Sequence, residues 1–186
     1  MNFSDTTGWL KAGYLLLVFC CVFYLIWWCA AFNPLRSFPM PVKAALFCPT
    51  LLCGVAGLIL SVRGIADLPK TAASPSKALI VLAGIAVYLI LLLLTGRLLH
   101  RQVTTELLLI TGWTVLELCA AAGLYGAGIF SGTKAVISVA VTLSAAVIGM
   151  ACYLAYYNLK EIPAFCDGMI PLVLFAVAMV IQLILI

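Results

Sequence analysis

A chain of 186 residues that is 66% hydrophobic and 9% charged has little in common with a soluble domain, which runs about 45–50% apolar and about 25% charged. With a mean hydropathy of +1.27 nothing is left over for an aqueous domain, so the expected class is an all-α integral membrane protein, a six-transmembrane-helix bundle forming one domain over 1–186. The net charge of +4 is spread over the loops, without a Lys/Arg run or a basic face interleaved with aromatics, so nucleic-acid binding has no support.

A helix needs about 20 apolar residues to cross the hydrocarbon core. Six stretches have the length: 12–33, 42–62, 78–96, 104–125, 134–157 and 168–186. The first is too long for a signal-peptide core and has only Lys11 as a positive flank; Cys29 follows Trp28, where a lipoprotein signal needs a small residue. It reads as a retained helix. Asn33-Pro34-Leu35-Arg36-Ser37-Phe38-Pro39-Met40-Pro41 then breaks the chain.

The second span holds Pro49, which removes one backbone hydrogen bond and frees a carbonyl one turn earlier. It also carries small and hydroxyl residues at Thr50, Cys53 or Gly54, Gly57 and Ser61, a stripe suited to close helix approach. The segment from Arg63 to Lys77, with Pro69 and Pro75, leads to the third span. Gly96-Arg97-Leu98-Leu99-His100-Arg101 closes that span, with His100 read as a solvated loop residue.

The fourth span contains Glu117, the ionisable carboxyl nearest the middle of any of the six. A charged group there costs roughly 2.5–3.5 kcal/mol on insertion scales, so it is paired, protonated or functional. Its helical neighbours are Trp113, Thr114, Ala120 and Ala121. The small ones let another helix approach, which places Glu117 toward protein or a cavity rather than lipid. The bland reading is a protonated Glu bonded to a carbonyl or hydroxyl of a facing helix.

Gly126-Ala127-Gly128 opens the turn to the fifth span. There Ser138, Thr142, Ala145, Gly149, Cys152 and Tyr156 recur at four, three, four, three and four residues, one face of a left-handed helix pair. Asn158-Leu159-Lys160-Glu161-Ile162-Pro163 leads to the sixth span. Asp167 is expected as its N-cap, Pro171 lies in its first turns, and Gln182 is expected at the membrane–water interface. Trp9, Trp27, Trp28, Tyr153, Tyr156 and Tyr157 sit mainly toward span ends, where amphipathic rings anchor.

Eight cysteines suggest a disulfide set by count but not by position: all but Cys166 fall inside apolar spans, without a Cys-x-x-Cys, and a single histidine completes no metal cluster. They read as small buried hydrophobes. The basic residues divide five against five between the two sides (Lys11, Arg63, Lys70, Lys77 and Lys134 against Arg36, Lys43, Arg97, Arg101 and Lys160). The positive-inside rule therefore gives no orientation. Three positives in the longest loop favour cytoplasmic termini in a cell membrane.

Thr50-Leu51-Leu52-Cys53-Gly54-Val55-Ala56-Gly57 aligns with Thr142-Leu143-Ser144-Ala145-Ala146-Val147-Ile148-Gly149 at an offset of 92; Cys29-Ala30-Ala31 matches Cys119-Ala120-Ala121 at 90, and Lys43-Ala44 matches Lys134-Ala135 at 91. These suggest two inverted three-helix repeats, with halves 1–100 and 101–186, an arrangement that recurs in secondary transporters with the site near the midplane. Apolar sequences also produce such matches by chance.

The metalloprotease, nucleophile-elbow and phosphate-loop motifs do not occur. No nucleophile, base or metal constellation marks an enzyme, and no cofactor or metal is implied. The expected function is a transporter or channel-like protein for a small solute or ion. Glu117 is its proton, cation or polar-ligand site, and Thr114, Trp113, Thr50 and Thr142 are the candidate residues around it. The alternative is a non-catalytic subunit of a larger membrane complex. The partners expected are the lipid bilayer, a small solute or ion, and a second copy of the chain or another membrane subunit.

Overall fold

The structure, a computed structural model, describes residues 3–36, 38–68, 76–98 and 105–186. Pro69, Lys70, Pro75, His100, Arg101 and Thr104 lie outside the described residues. The helices are α1 (Phe3–Ala31), α2 (Met40–Asp67), α3 (Lys77–Leu98), α4 (Thr105–Gly126), α5 (Gly132–Tyr156), α6 (Glu161–Asp167) and α7 (Ile170–Leu185), and no strand occurs among the described residues. Six helical stretches are long and apolar enough to span a membrane, the sixth being Glu161–Leu185, which joins α6 and α7. Each of the six expected spans matches one of these within a few residues at most ends; the first two and the sixth are longer than their apolar cores.

The chain forms two compact units, Met1–Asp67 with Ala151–Ile186, and Leu68–Met150. The first is built on an antiparallel α1–α2 pair. Gly64 lies against Leu10, Gly13 against Ser61 and Gly57, Gly57 also against Leu17, and Gly54 against the Cys20 thiol. Further along, the rings of Trp27 and Phe47 are 5.0 Å apart, and Lys43 Nζ donates to Ala31 O at 3.2 Å.

Each step of three or four residues along α1 is answered by an equal step back along α2, the seam of a left-handed helix pair. Of the stripe expected at Thr50, Cys53 or Gly54, Gly57 and Ser61, the residues Gly54, Gly57 and Ser61 lie in this seam. Its glycines let the two backbones approach: a Cβ on Gly64 would stand 2.9 Å from Leu10 N.

Both ends of the pair are finished by basic side chains. Lys43 caps the last carbonyl of α1, that of Ala31, where the helix dipole is negative. At the other end the Arg63 guanidinium lies 4.7 Å over the Trp9 ring, a cation–π contact. Asn33 Oδ1 accepts from Leu35 N at 2.9 Å, the turn by which asparagine replaces helix continuation ahead of Pro34.

α7 packs on α1 and buries Phe175, Ala178, Met179 and Gln182, one face at helical spacing. Gln182 sits in the last turns of α7, as an interfacial residue would, but its side chain is enclosed at 2% exposure. Asp167 is not the cap foreseen for the sixth span. It is the last residue of α6, and Met169 occupies the N-cap of α7 without a side-chain cap bond. The span starts earlier because Glu161 opens a helix with Pro163 in its first turn, where a missing N–H costs nothing.

In the second unit α3 and α4 pack together. Gly84 faces Val115, Gly123 faces Leu68 and Lys77, and Cys119 Sγ reaches Lys77 O at 3.9 Å, an antiparallel arrangement. The turn after α4 closes on Gly128 at φ 75°: Gly128 N donates to Tyr125 O at 3.0 Å and Ile129 N to Leu124 O at 3.0 Å. This pair of bonds is the left-handed helix terminus for which glycine is preferred.

Candidate functional site

Burial singles out α4. Half of its most apolar window is enclosed, against 6–22% in the other five spans. The enclosed residues are mostly small (Thr111, Cys119, Ala120, Ala121, Gly123), with Leu107, Ile110 and Leu124 toward the ends. Small side chains let neighbouring backbone come close, and Glu117 is buried among them on the same helix.

Glu117 lies within one turn of the midpoint of α4 and is 1% exposed. Its carboxyl is directed into protein, as Ala120 and Ala121 on its face imply; both are buried too, at 1% and 3%. A carboxylate so placed loses the hydration of water, and any charge on it must be met by a proton, a cation or directed hydrogen bonds.

The structure places Trp113 and Thr114 half-buried one turn before Glu117. Thr114 Oγ1 donates to Ile110 O at 2.7 Å, and Thr111 Oγ1 donates to Leu107 O at 2.6 Å. Both hydroxyl protons are therefore used within α4, which leaves the oxygens as acceptors. Thr114 so oriented accepts from a protonated acid or ligates a cation; it does not donate to a carboxylate.

Thr142 is 1% exposed on α5 in the same unit as Glu117, beside Ser138 at 1% and Ala145 at 4%. The α5 stripe is thus a buried face from Ser138 to Gly149. Thr50 belongs to the other unit, where it is 4% exposed and its Oγ1 has no hydrogen-bond partner among the described residues. Glu117, Trp113 and Thr114 are thus joined by one helix, with Thr142 in their unit.

Asp167 is a polar residue whose place in the sequence suggests a helix cap. In the structure it lies inside the sixth span, about 9 Å along the axis from Glu161. Its Oδ2 is buried without a hydrogen-bond partner among the described residues. The signal that reveals it is Lys160-Glu161-Ile162-Pro163, an acidic residue followed by proline at a helix start. Among the described residues no group of three or more His, Cys, Asp or Glu side chains is gathered for a metal ion.

No protein-family model matches this chain, nor does any curated protein or solved structure. What the fold defines is an all-helical chain with six helices long and apolar enough to span a membrane. Its most enclosed helix carries a buried carboxyl at mid-length.

Proposed function

We propose that this is a multi-pass integral membrane protein, a transporter or channel-like protein for a small solute or ion, in which Glu117 binds the proton or cation. The observation that carries the reading is the enclosure of Glu117 at 1% exposure, near the middle of the most buried span. A carboxyl on a lipid-facing side of α4 would have argued for a misplaced or merely tolerated charge; an enclosed one at mid-depth is where coupling groups act. Thr114, with its proton committed to Ile110 O, presents an oxygen on the adjoining turn, and Thr142 is a buried hydroxyl of the same unit.

The test needs no knowledge of the solute. A hydrophobic carbodiimide reacts with protonated carboxyls, so the purified chain in nanodiscs is labelled across a pH series and the adduct mapped by mass spectrometry. A working proton or cation site gives an adduct at Glu117 that declines as pH rises and that added cation competes away. Labelling that ignores both pH and cations, or no labelling at all, overturns the reading. It leaves the chain as a non-catalytic subunit, whose signature is co-purification with a partner.

A further inference from the structure

Two sulfurs meet where the first span ends. Cys29, in the last turn of α1, donates its thiol to the Met169 thioether, with Sγ and Sδ 3.8 Å apart. Met169 belongs to the sixth span, Glu161–Leu185, and lies 140 residues away in the chain. Cys29 is exposed and Met169 half-buried, so the pair is open on one side rather than sealed in the core.

Neighbouring contacts hold the pair in place. Trp28 Nε1 donates to Phe165 O at 3.1 Å, and the same indole lies so close over Gly168 that a side chain there would collide with the ring. The next residue on each side of that contact is Cys29 and Met169. An indole fixed at both points sets how α1 meets the sixth span, and so where the two sulfurs stand before any ligand arrives. Cys166, an exposed thiol, stands three residues before Met169, a helical neighbour at about 5–6 Å between Cβ atoms. All of these residues belong to the first unit.

We propose that Cys29 and Met169 bind a soft monovalent metal ion, copper(I), with Cys166 as the nearest third sulfur. Thiolate and thioether donors select copper(I) over hard ions. A structural zinc needs four ligands, and no group of three or more His, Cys, Asp or Glu side chains is gathered among the described residues. With about 2.3 Å for a metal–thiolate bond, an ion touching two sulfurs 3.8 Å apart sees them at about 110°. It therefore sits beside the line joining them, on the open side, with room for a third donor. On binding, the Cys29 S–H bond breaks and its proton passes to water. The thiolate and the Met169 sulfur each donate an electron pair, and copper stays in its +1 state. The site lies in the unit that does not contain Glu117 and does not rest on the transport reading.

The experiment is competition for copper(I), without oxygen, between the purified full chain in detergent and the chromophoric chelator bicinchoninate. The wild-type chain withdraws copper from the chelator. Cys29→Ser and Met169→Leu each weaken that affinity roughly tenfold or more, and Cys166→Ser weakens it less. Cys48→Ser, at an exposed thiol of α2, and Glu117→Gln leave it unchanged. Met169→Leu decides the matter, because it keeps all eight cysteines and nearly the same side-chain volume. X-ray absorption at the copper edge of the wild-type chain grown on selenomethionine shows a selenium neighbour, a readout that needs no variant to fold. Equal affinity in wild type and Met169→Leu, or a copper shell without selenium, overturns the proposal and reduces the pair to a packing contact. A wild-type chain that withdraws no copper overturns it as well. Copper binding that needs Met169, beside pH-indifferent labelling of Glu117, removes the Glu117 reading and leaves this site standing.

Discussion

Gly13 of α1 lies against Ser61 of α2 so closely that a Cβ at residue 13 would overlap the Ser61 hydroxyl and stand 2.7 Å from the Ser61 backbone nitrogen. Ser61 is fully enclosed, and its Oγ finds no hydrogen-bond partner among the described residues. It lies against the Gly13 backbone, a close approach that small residues allow between packed helices. Two residues thus set the spacing of the α1–α2 pair: one by having no side chain, the other by filling the space.

Gly13→Ala is therefore expected to destabilise the fold by about 1–3 kcal/mol. Ser61→Gly is not expected to restore it, because the obstruction includes backbone as well as the hydroxyl. Ser61→Ala alone removes a buried hydroxyl without an N–H or O–H partner and is expected to be neutral or slightly stabilising. Chemical unfolding of the three variants in mild detergent checks the order; full rescue of Gly13→Ala by Ser61→Gly would show that the backbones are free to separate.

Gly84 in the α3–α4 pair supplies the contrasting case. A Cβ there meets Val115 Cγ2 and otherwise only Val115 atoms at 3.5 Å or more. The obstruction is a single methyl group on a side chain. Gly84→Ala should cost about 1–3 kcal/mol, and Val115→Ala should relieve it, giving a favourable coupling of about 1 kcal/mol in a double-mutant cycle. Additive effects would mean that Val115 already rotates away without cost.

How much of this was legible follows the physics of each signal. The α1–α2 seam is visible in the small residues Gly54, Gly57 and Ser61 of the stripe expected at Thr50, Cys53 or Gly54, Gly57 and Ser61, because close packing leaves a periodic trace. The enclosure of Glu117 followed from Ala120 and Ala121 in the same way, and Gly128 from the turn chemistry of Gly126-Ala127-Gly128.

What stayed hidden depends on partners distant in sequence or on a boundary. Trp28 meets Phe165 across 137 residues, and no local pattern announces such a pair. Asp167 reads as a cap because the apolar run starts after it, although the helix starts at Glu161. The position of Gln182 along the span points to the interface but says nothing of which side it faces.

Gly128 sits at φ 75°, in the left-handed region that an L side chain enters at a cost of about 1–2 kcal/mol. Gly128→Ala should lose about that much stability, and Gly128→Asn less, since asparagine tolerates this conformation. Because the turn closes the C-terminus of α4, hydrogen exchange should quicken first at Ile129 and Phe130, whose amides both bond Leu124 O. Equal protection in Gly128→Ala and wild type would mean that the turn has rearranged around the new side chain.

The contact between Gly168 and Trp28 gives a final case, in which a side chain replaces backbone as the obstruction yet is not free to yield. Gly168 faces the six-membered ring of Trp28. Trp28 is fixed by its bond to Phe165 O at 3.1 Å and by the Phe32 ring at 4.4 Å between centroids. Gly168→Ala must therefore either displace the indole and break that bond, at about 1 kcal/mol for a partly buried hydrogen bond, or shift the α6–α7 turn. Trp28→Phe removes both the outer ring and the donor, so it should lose stability by itself yet make Gly168→Ala almost harmless. The double mutant should be close to Trp28→Phe alone, with a coupling of about 1 kcal/mol or more by thermal unfolding. If the two losses simply add, the indole is not what confines residue 168.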